Sequence, residues 1–293
     1  MIGYLLILLF SLCNLGESLF VKEYAKRHGS GGMLMNAVIA LFSSLFFLIK
    51  DLFIDKSDFY VPEGMLPLAL LNCCLFAAGF YFTFVAFRIG PYGLTRLVSS
   101  FSLLFTVFYG ILFLDEPTSA LTFIGLALIV SAMVLINYRG RSAGGSDEGR
   151  ISAKWLLCLL TSVVANGFIG ILARMQQIKF NNSCSNEFQF ISIGGSFLLL
   201  AVIGLIIDRD KLGSVLKHGS LYGLAAGLFN GGKNFIALAV YLYIPISVAG
   251  PIKTGVGMVL AYLTAILLYK EKYTWLQKLG VLAGAVAVVL LAL

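Results

Sequence analysis

The chain has 293 residues, of which 59% are hydrophobic and only 12% are charged. A soluble domain carries closer to about 25% charge, so most of this surface cannot face water, and the composition excludes an ordinary soluble protein. The formal charge of +7 does not point to nucleic acid either. Its lysines and arginines cluster at the ends of apolar segments, where they set membrane topology.

Twenty helical residues rise about 30 Å, one hydrocarbon thickness, and apolar segments of that length recur along the whole chain. The first, residues 2–21, has no basic leader region and no clear cleavage site, so it is expected to stay as a membrane helix. It carries Asn14 and Glu17. Segments 32–49, 66–87 (with Tyr81), 92–114 (with Arg96) and 119–138 follow. A hydrophilic, Gly/Ser-rich stretch then interrupts the pattern, "YRGRSAGGSDEGRIS", residues 138–152. Beyond it lie 153–175 (with Asn166), 188–207, 220–242 (with Asn230, Lys233 and Asn234), 245–269 (with Lys253) and 274–292. The expected fold is an all-α integral membrane protein of ten transmembrane helices with short loops. The five cysteines are scattered, without metal-ligand spacing, and read as structural thiols.

The loops after odd-numbered segments hold 14 Lys/Arg, whereas the opposite side holds four: Lys50, Lys56, Arg174 and Lys179. By the positive-inside rule both termini are expected outside a bacterial inner or plasma membrane. The remaining three cations, Arg96, Lys233 and Lys253, fall within predicted helices.

The polar linker divides ten helices into five and five, and the halves align. Asn14 precedes Lys22 by eight residues, as Asn166 precedes Arg174. "AGFYFTFVAFRIGP" matches "GGKNFIALAVYLYIP", which pairs Tyr81 with Asn234. Glu116 stands nine residues before Gly125, as Glu271 does before Gly280. These matches in register indicate a duplication: repeats at 1–138 and 153–293, joined by a linker at 139–152. Because five is odd, the second repeat must enter the membrane inverted. Inverted repeats place a site near the midplane at their interface and suit alternating access.

"YIPISVAGPIKTGVGMVLAYL" resembles the third helix of small multidrug resistance proteins, and "GLALIVSAMVLIN" and "GVLAGAVAVVLLAL" are similar to their last helix. Together with the E-x(8)-G signature, the chain resembles the EamA family of the drug/metabolite transporter superfamily. The resemblance implies secondary transport of a small metabolite, not enzymatic catalysis, and calls for no cofactor. The small relatives carry a membrane glutamate eight residues before a lysine in helix one. Here that position is Asn14, mirrored by Asn166, so a proton-coupling role would have to fall to Glu17 instead.

An ionisable residue at membrane depth costs about 2.5–3.5 kcal/mol or more and is by default a functional hypothesis. Lys233 lies near the middle of its segment, where a lysine cannot easily snorkel. Its two readings are a cation facing the substrate and a partner of a buried carboxylate such as Glu17. Lys253 and, nearer an interface, Arg96 are the other candidate cations. Asn14, Asn166, Asn234 and Tyr81 complete the candidate substrate-binding set, with Glu17 as counter-ion or coupling site. The glycine pair Gly231-Gly232 offers a possible kink, and Gly223, Gly227 and Gly231 form a small-residue packing stripe. Up to three cations against one carboxylate favour an anionic or zwitterionic metabolite: an amino acid, an organic acid or a phosphorylated compound. The alternatives are a lipid-linked sugar flippase and a drug exporter of the same superfamily. The expected partners are a small-molecule substrate and the lipid bilayer, in a monomer or a homodimer. The histidines, His28 and His218, read as solvated helix ends.

Overall fold

The computed structural model describes residues 2–29, 31–56, 59–89, 95, 98–117, 119–137, 152–269 and 274–292. Among these residues there are ten principal helices and no strand. They are α1 (Ile2–His28), α2 (Gly32–Ile49), α3 (Met65–Ile89), α4 (Leu103–Phe113), α5 (Ala120–Asn137), α6 (Ala153–Lys179), α7 (Ser185–Ile207), α8 (Ser220–Val240), α9 (Ile246–Tyr269) and α10 (Trp275–Ala292). Short helical turns at Lys50–Asp55, Ser100–Ser102 and 209–219 lie between them. The linker expected at 139–152 lies outside the described residues, apart from Ser152. That serine caps α6, its hydroxyl accepting from the Trp155 amide at 3.1 Å.

Among the described residues, six stretches are long and apolar enough to cross a membrane: Ile2–His28, Gly32–Asp55, Met65–Ile89, Ala153–Lys179, Ser185–Ile207 and Ile246–Thr264. Helices α4, α5 and α10 are apolar but shorter. The apolar sequence of α8 is broken by Asn230, Lys233 and Asn234. Outward-facing leucines and isoleucines, among them Leu157, Leu198, Ile206 and Leu267, give the bundle a greasy exterior. Such a surface suits hydrocarbon, where every backbone group must be bonded within a helix.

Helices from the two halves of the chain pack against one another. The main pairs are α1 with α8, α3 with α6, α2 with α7, and α5 with α10, with α4 against α9. One apolar core gathers α1, α4, α5, α9 and α10 around Ile7, Val107, Ile129, Met133 and Ile252. A second joins α2, α3 and α7 around Met33, Phe47, Phe76 and Leu200. Between these cores α8 lies on α2 through Gly223, Gly227 and Gly231, which meet Val38, Phe42 and Phe46. Glycines at four-residue spacing let two backbones approach closely. The glycine pair Gly231-Gly232, a possible kink by sequence, does not open the helix, since α8 is helical without interruption from Ser220 to Val240. Gly231 spends its missing side chain on the contact with Phe46 instead.

Two further boundaries differ from the sequence reading. Helix α1 continues past residue 21 to His28, and an i,i+4 ion pair between Glu23 and Arg27 supports the added turns. Helix α6 runs to Lys179, so Arg174, expected at the edge of a loop, stands inside the helix by more than a turn. Asp208, just beyond α7, caps α2: its Oδ2 accepts from the Met33 amide at 2.9 Å and its Oδ1 from Lys211 at 2.5 Å. Gly32 makes room for that carboxylate with φ at +59°, and a Cβ there would lie 2.3 Å from Asp208 Oδ2. Burial alone would raise the Asp208 pKa, but the bonds from Lys211 and Met33 outweigh it and hold the group below its ordinary value. The exposed rings of His28 and His218 stack at 4.4 Å, tying the end of α1 to the turn before α8.

Candidate functional site

The contact between α1 and α8 begins with a missing side chain. Gly16 accepts the ring of Phe229, and a Cβ there would lie 2.8 Å from it. Phe229 in turn stacks on Phe20 with centroids 5.9 Å apart. Beside it on both helices, this approach brings polar groups together. The Lys233 ammonium forms an ion pair with Glu17 Oε2 and also donates to Asn14 Oδ1 at 3.3 Å. Asn230 donates to the other Glu17 oxygen at 2.9 Å. Its carbonyl oxygen accepts from Ser43 of α2 at 2.9 Å and from Asn234 at 3.0 Å. Asn234 thus bonds back within its own helix, while Asn14 keeps an exposed side chain.

Both carboxylate oxygens of Glu17 are therefore satisfied, and the two charged side chains are only 19% and 15% exposed. A pair this enclosed persists when its remaining lone pairs and protons are bonded, which Asn230 and Asn14 accomplish. Ser43 and Asn230 complete the network. Asn230 shares the Lys233 face by its i,i+3 spacing, a visible signal, whereas nothing in the sequence marks Ser43.

Lys253 has a different environment. Its ammonium donates to the Tyr241 hydroxyl at 3.0 Å and lies over two rings, 4.5 Å from the centroid of Tyr241 and 5.1 Å from that of Phe10. Among the described residues it makes no ion pair. Neutral hydroxyls and aromatic faces hold a desolvated cation in place without cancelling its charge. Phe10, Asn14 and Glu17 follow one another at i, i+4 and i+7, so both lysines approach one face of α1. Pro251, two residues before Lys253, deprives the Ser247 carbonyl of its helical donor.

The remaining candidates stand apart. Asn166 packs beside Gly79 of α3 and donates to the Ser162 carbonyl at 2.8 Å, and Ser162 is bonded to Thr83. The α3–α6 contact thus carries neutral groups where the α1–α8 contact carries charges. Tyr81 belongs to the aromatic packing of the second core, edge-on to Phe82 at 5.2 Å. Arg96 lies outside the described residues.

Glu116, read only as part of the E-x(8)-G signature, has a definite role. Its two oxygens accept from the amides of Ile246 and Ser247, each at 2.9 Å, at the start of α9. A carboxylate there satisfies otherwise orphaned donors and complements the helix dipole. Replacing Glu116 with Ala should cost about 1–2 kcal/mol, the value of a lost cap, measured by unfolding in mixed micelles. A Glu116→Asp variant, whose shorter arm reaches the amides poorly, should fall in between.

The bundle and its enclosed charged seam define a multi-pass helical membrane protein. Residues 1–138, just under half of the chain, match the model of the EamA-like transporter family. The family consists of membrane transporters of the drug/metabolite transporter superfamily. No curated protein matches the chain. A crystal structure of a protein with 14% sequence identity superposes with a TM-score of 0.74, covering 99% of this chain and 94% of that one. It shares the fold over essentially the whole length.

Proposed function

We propose that the protein is a secondary carrier that moves a small anionic or zwitterionic metabolite by alternating access, without catalysing a reaction. Lys253 carries this reading: a cation held by neutral partners within the helix bundle is poised to receive a substrate's negative group. Lys233 is already balanced by Glu17, so it serves as the hydrogen-bonding edge of the site together with Asn14, Asn230 and Asn234. Asn166 and Tyr81 stand at the corresponding places of the other repeat, and Arg96 remains a candidate cation. Protonation of Glu17 would release Lys233, which makes this pair the natural place for proton coupling.

All ten helices cross the membrane in this reading, as two inverted repeats at 1–138 and 153–293. The exchange of partners supports it, because α1 meets α8 as α6 meets α3. The family match also ends at residue 138, where the first repeat is drawn. The basic loops favour termini on the outside in this reading.

The test is counterflow in proteoliposomes against amino acids, organic acids and sugar phosphates. Lys253→Gln should lower uptake of the accepted solute at least ten-fold, with the protein still eluting as a folded species. Unchanged uptake would remove Lys253 from the site. Movement of a lipid analogue without counterflow of any soluble solute would replace the carrier with a flippase.

A further inference from the structure

We infer that Arg174 is a second cation of the Lys253 site and that the transported solute is a dianion, a dicarboxylate or a phosphate monoester. The inference builds on the carrier reading of Lys253. Arg174 stands within α6, and its Nε is buried without a hydrogen-bond partner. The guanidinium reaches Gln177 only at 3.4 Å and makes no ion pair among the described residues. Gln177 itself is engaged elsewhere, donating to the Leu238 carbonyl at 2.9 Å. A buried donor left unpaired costs about 1–3 kcal/mol, and more on a charged group. Packing alone gives no reason to keep an arginine here.

Its neighbours connect it to Lys253. One turn before Arg174, Gly170 meets Thr106 of α4, and a Cβ at Gly170 would lie 2.9 Å from Thr106 Cγ2 and 3.9 Å from the Tyr241 hydroxyl. That hydroxyl is the one Lys253 bonds. Thr106 also meets Gly250, three residues before Lys253, where a Cβ would lie 3.1 Å from its Oγ1. Tyr109, three residues beyond Thr106, is within electrostatic range of Arg174. Helices α4, α6 and α9 therefore converge on one point through Thr106, Gly170 and Gly250. Each carries a polar side chain within about one turn of it: Tyr109, Arg174 and Lys253. The acids nearby are spoken for, since Glu17 is paired with Lys233 and Glu116 binds the α9 amides. Two positive charges remain, and a doubly negative solute cancels both. A guanidinium fork with a free Nε suits the planar, two-oxygen face of a carboxylate or phosphate.

Proteoliposomes would be assayed with succinate and glycerol 3-phosphate as dianions and lactate as monoanion. The wild type should prefer at least one dianion over lactate ten-fold or more, and which one is accepted separates the two chemistries. Arg174→Gln should abolish that preference, whereas Arg174→Lys should retain part of it. Wild-type preference in Arg174→Gln, with Lys253→Gln defective, would overturn the role of Arg174 and leave the carrier site standing. Normal transport by both variants would overturn the site as well. If Arg174→Gln does not fold, thermal stabilisation of the wild type decides. Greater stabilisation by a dianion than by lactate supports the inference, and equal stabilisation overturns it.

Discussion

Glu17→Gln should destabilise the protein more than any other single polar substitution in the helix bundle. Removing one partner of an enclosed ion pair leaves the other charge uncompensated, at about 3–5 kcal/mol. The side chains of Glu17 and Lys233 are less than one-fifth exposed, and what surrounds the bundle is lipid rather than screening water. Lys233→Met alone should be milder, because Glu17 keeps its bond from Asn230. The double variant Glu17→Gln/Lys233→Met should recover more than half the stability lost in Glu17→Gln. Unfolding in mixed micelles measures all three. No recovery in the double variant would mean that the two charges do not act as a pair. Once folded, the double variant also isolates function. Counterflow retained in it would confine the pair to structure, while its loss would tie these charges to the transport cycle.

The second large effect should come from a residue with no side chain. Gly227→Val should leave almost no folded protein, as judged by monodisperse elution in detergent. A Cβ at Gly227 would lie 2.5 Å from Phe42 Cβ, 2.9 Å from the Ile39 carbonyl oxygen and 3.1 Å from the Ser43 amide. Two of these atoms are backbone and cannot rotate away, so α8 would have to lift from α2. The shift would also pull Asn230 from Ser43, one turn along the same face. Gly232→Ala is the control, since the nearest atom to its Cβ is Cys13 Sγ at 3.8 Å. It should elute as the wild type does.

Hydropathy revealed most of the architecture, because burial in hydrocarbon demands apolar runs of a set length. Segments 32–49 and 220–242 nearly coincide with α2 and α8. Hydropathy reports the membrane and not the end of the helix, which is why α1 and α6 extend beyond their apolar stretches. The same limit hid Arg174, which lay close enough to a segment end to be counted with the loop. Candidate residues were legible one at a time from the cost of placing charge in lipid, as with Lys233 and Lys253. Their partners were less so. The Lys233–Glu17 contact joins residues 216 positions apart, and Tyr241 and Ser43 are ordinary residues made important by what packs beside them. Glu116 showed the converse, a repeated pattern whose physical reason, two amides at the start of α9, required coordinates.

The separation between Glu17 and Lys233 also bears on biosynthesis. At about 5–20 residues per second, a ribosome needs on the order of ten to forty seconds between making one and the other. Throughout that interval α1 is already synthesised while its countercharge does not yet exist. Early insertion of α1 is thus provisional until α8 supplies the countercharge, and the core that α1 shares with α9 and α10 forms later still. Chains halted before residue 233 should remain exposed to membrane quality control, and a separately expressed second half should rescue a truncated first.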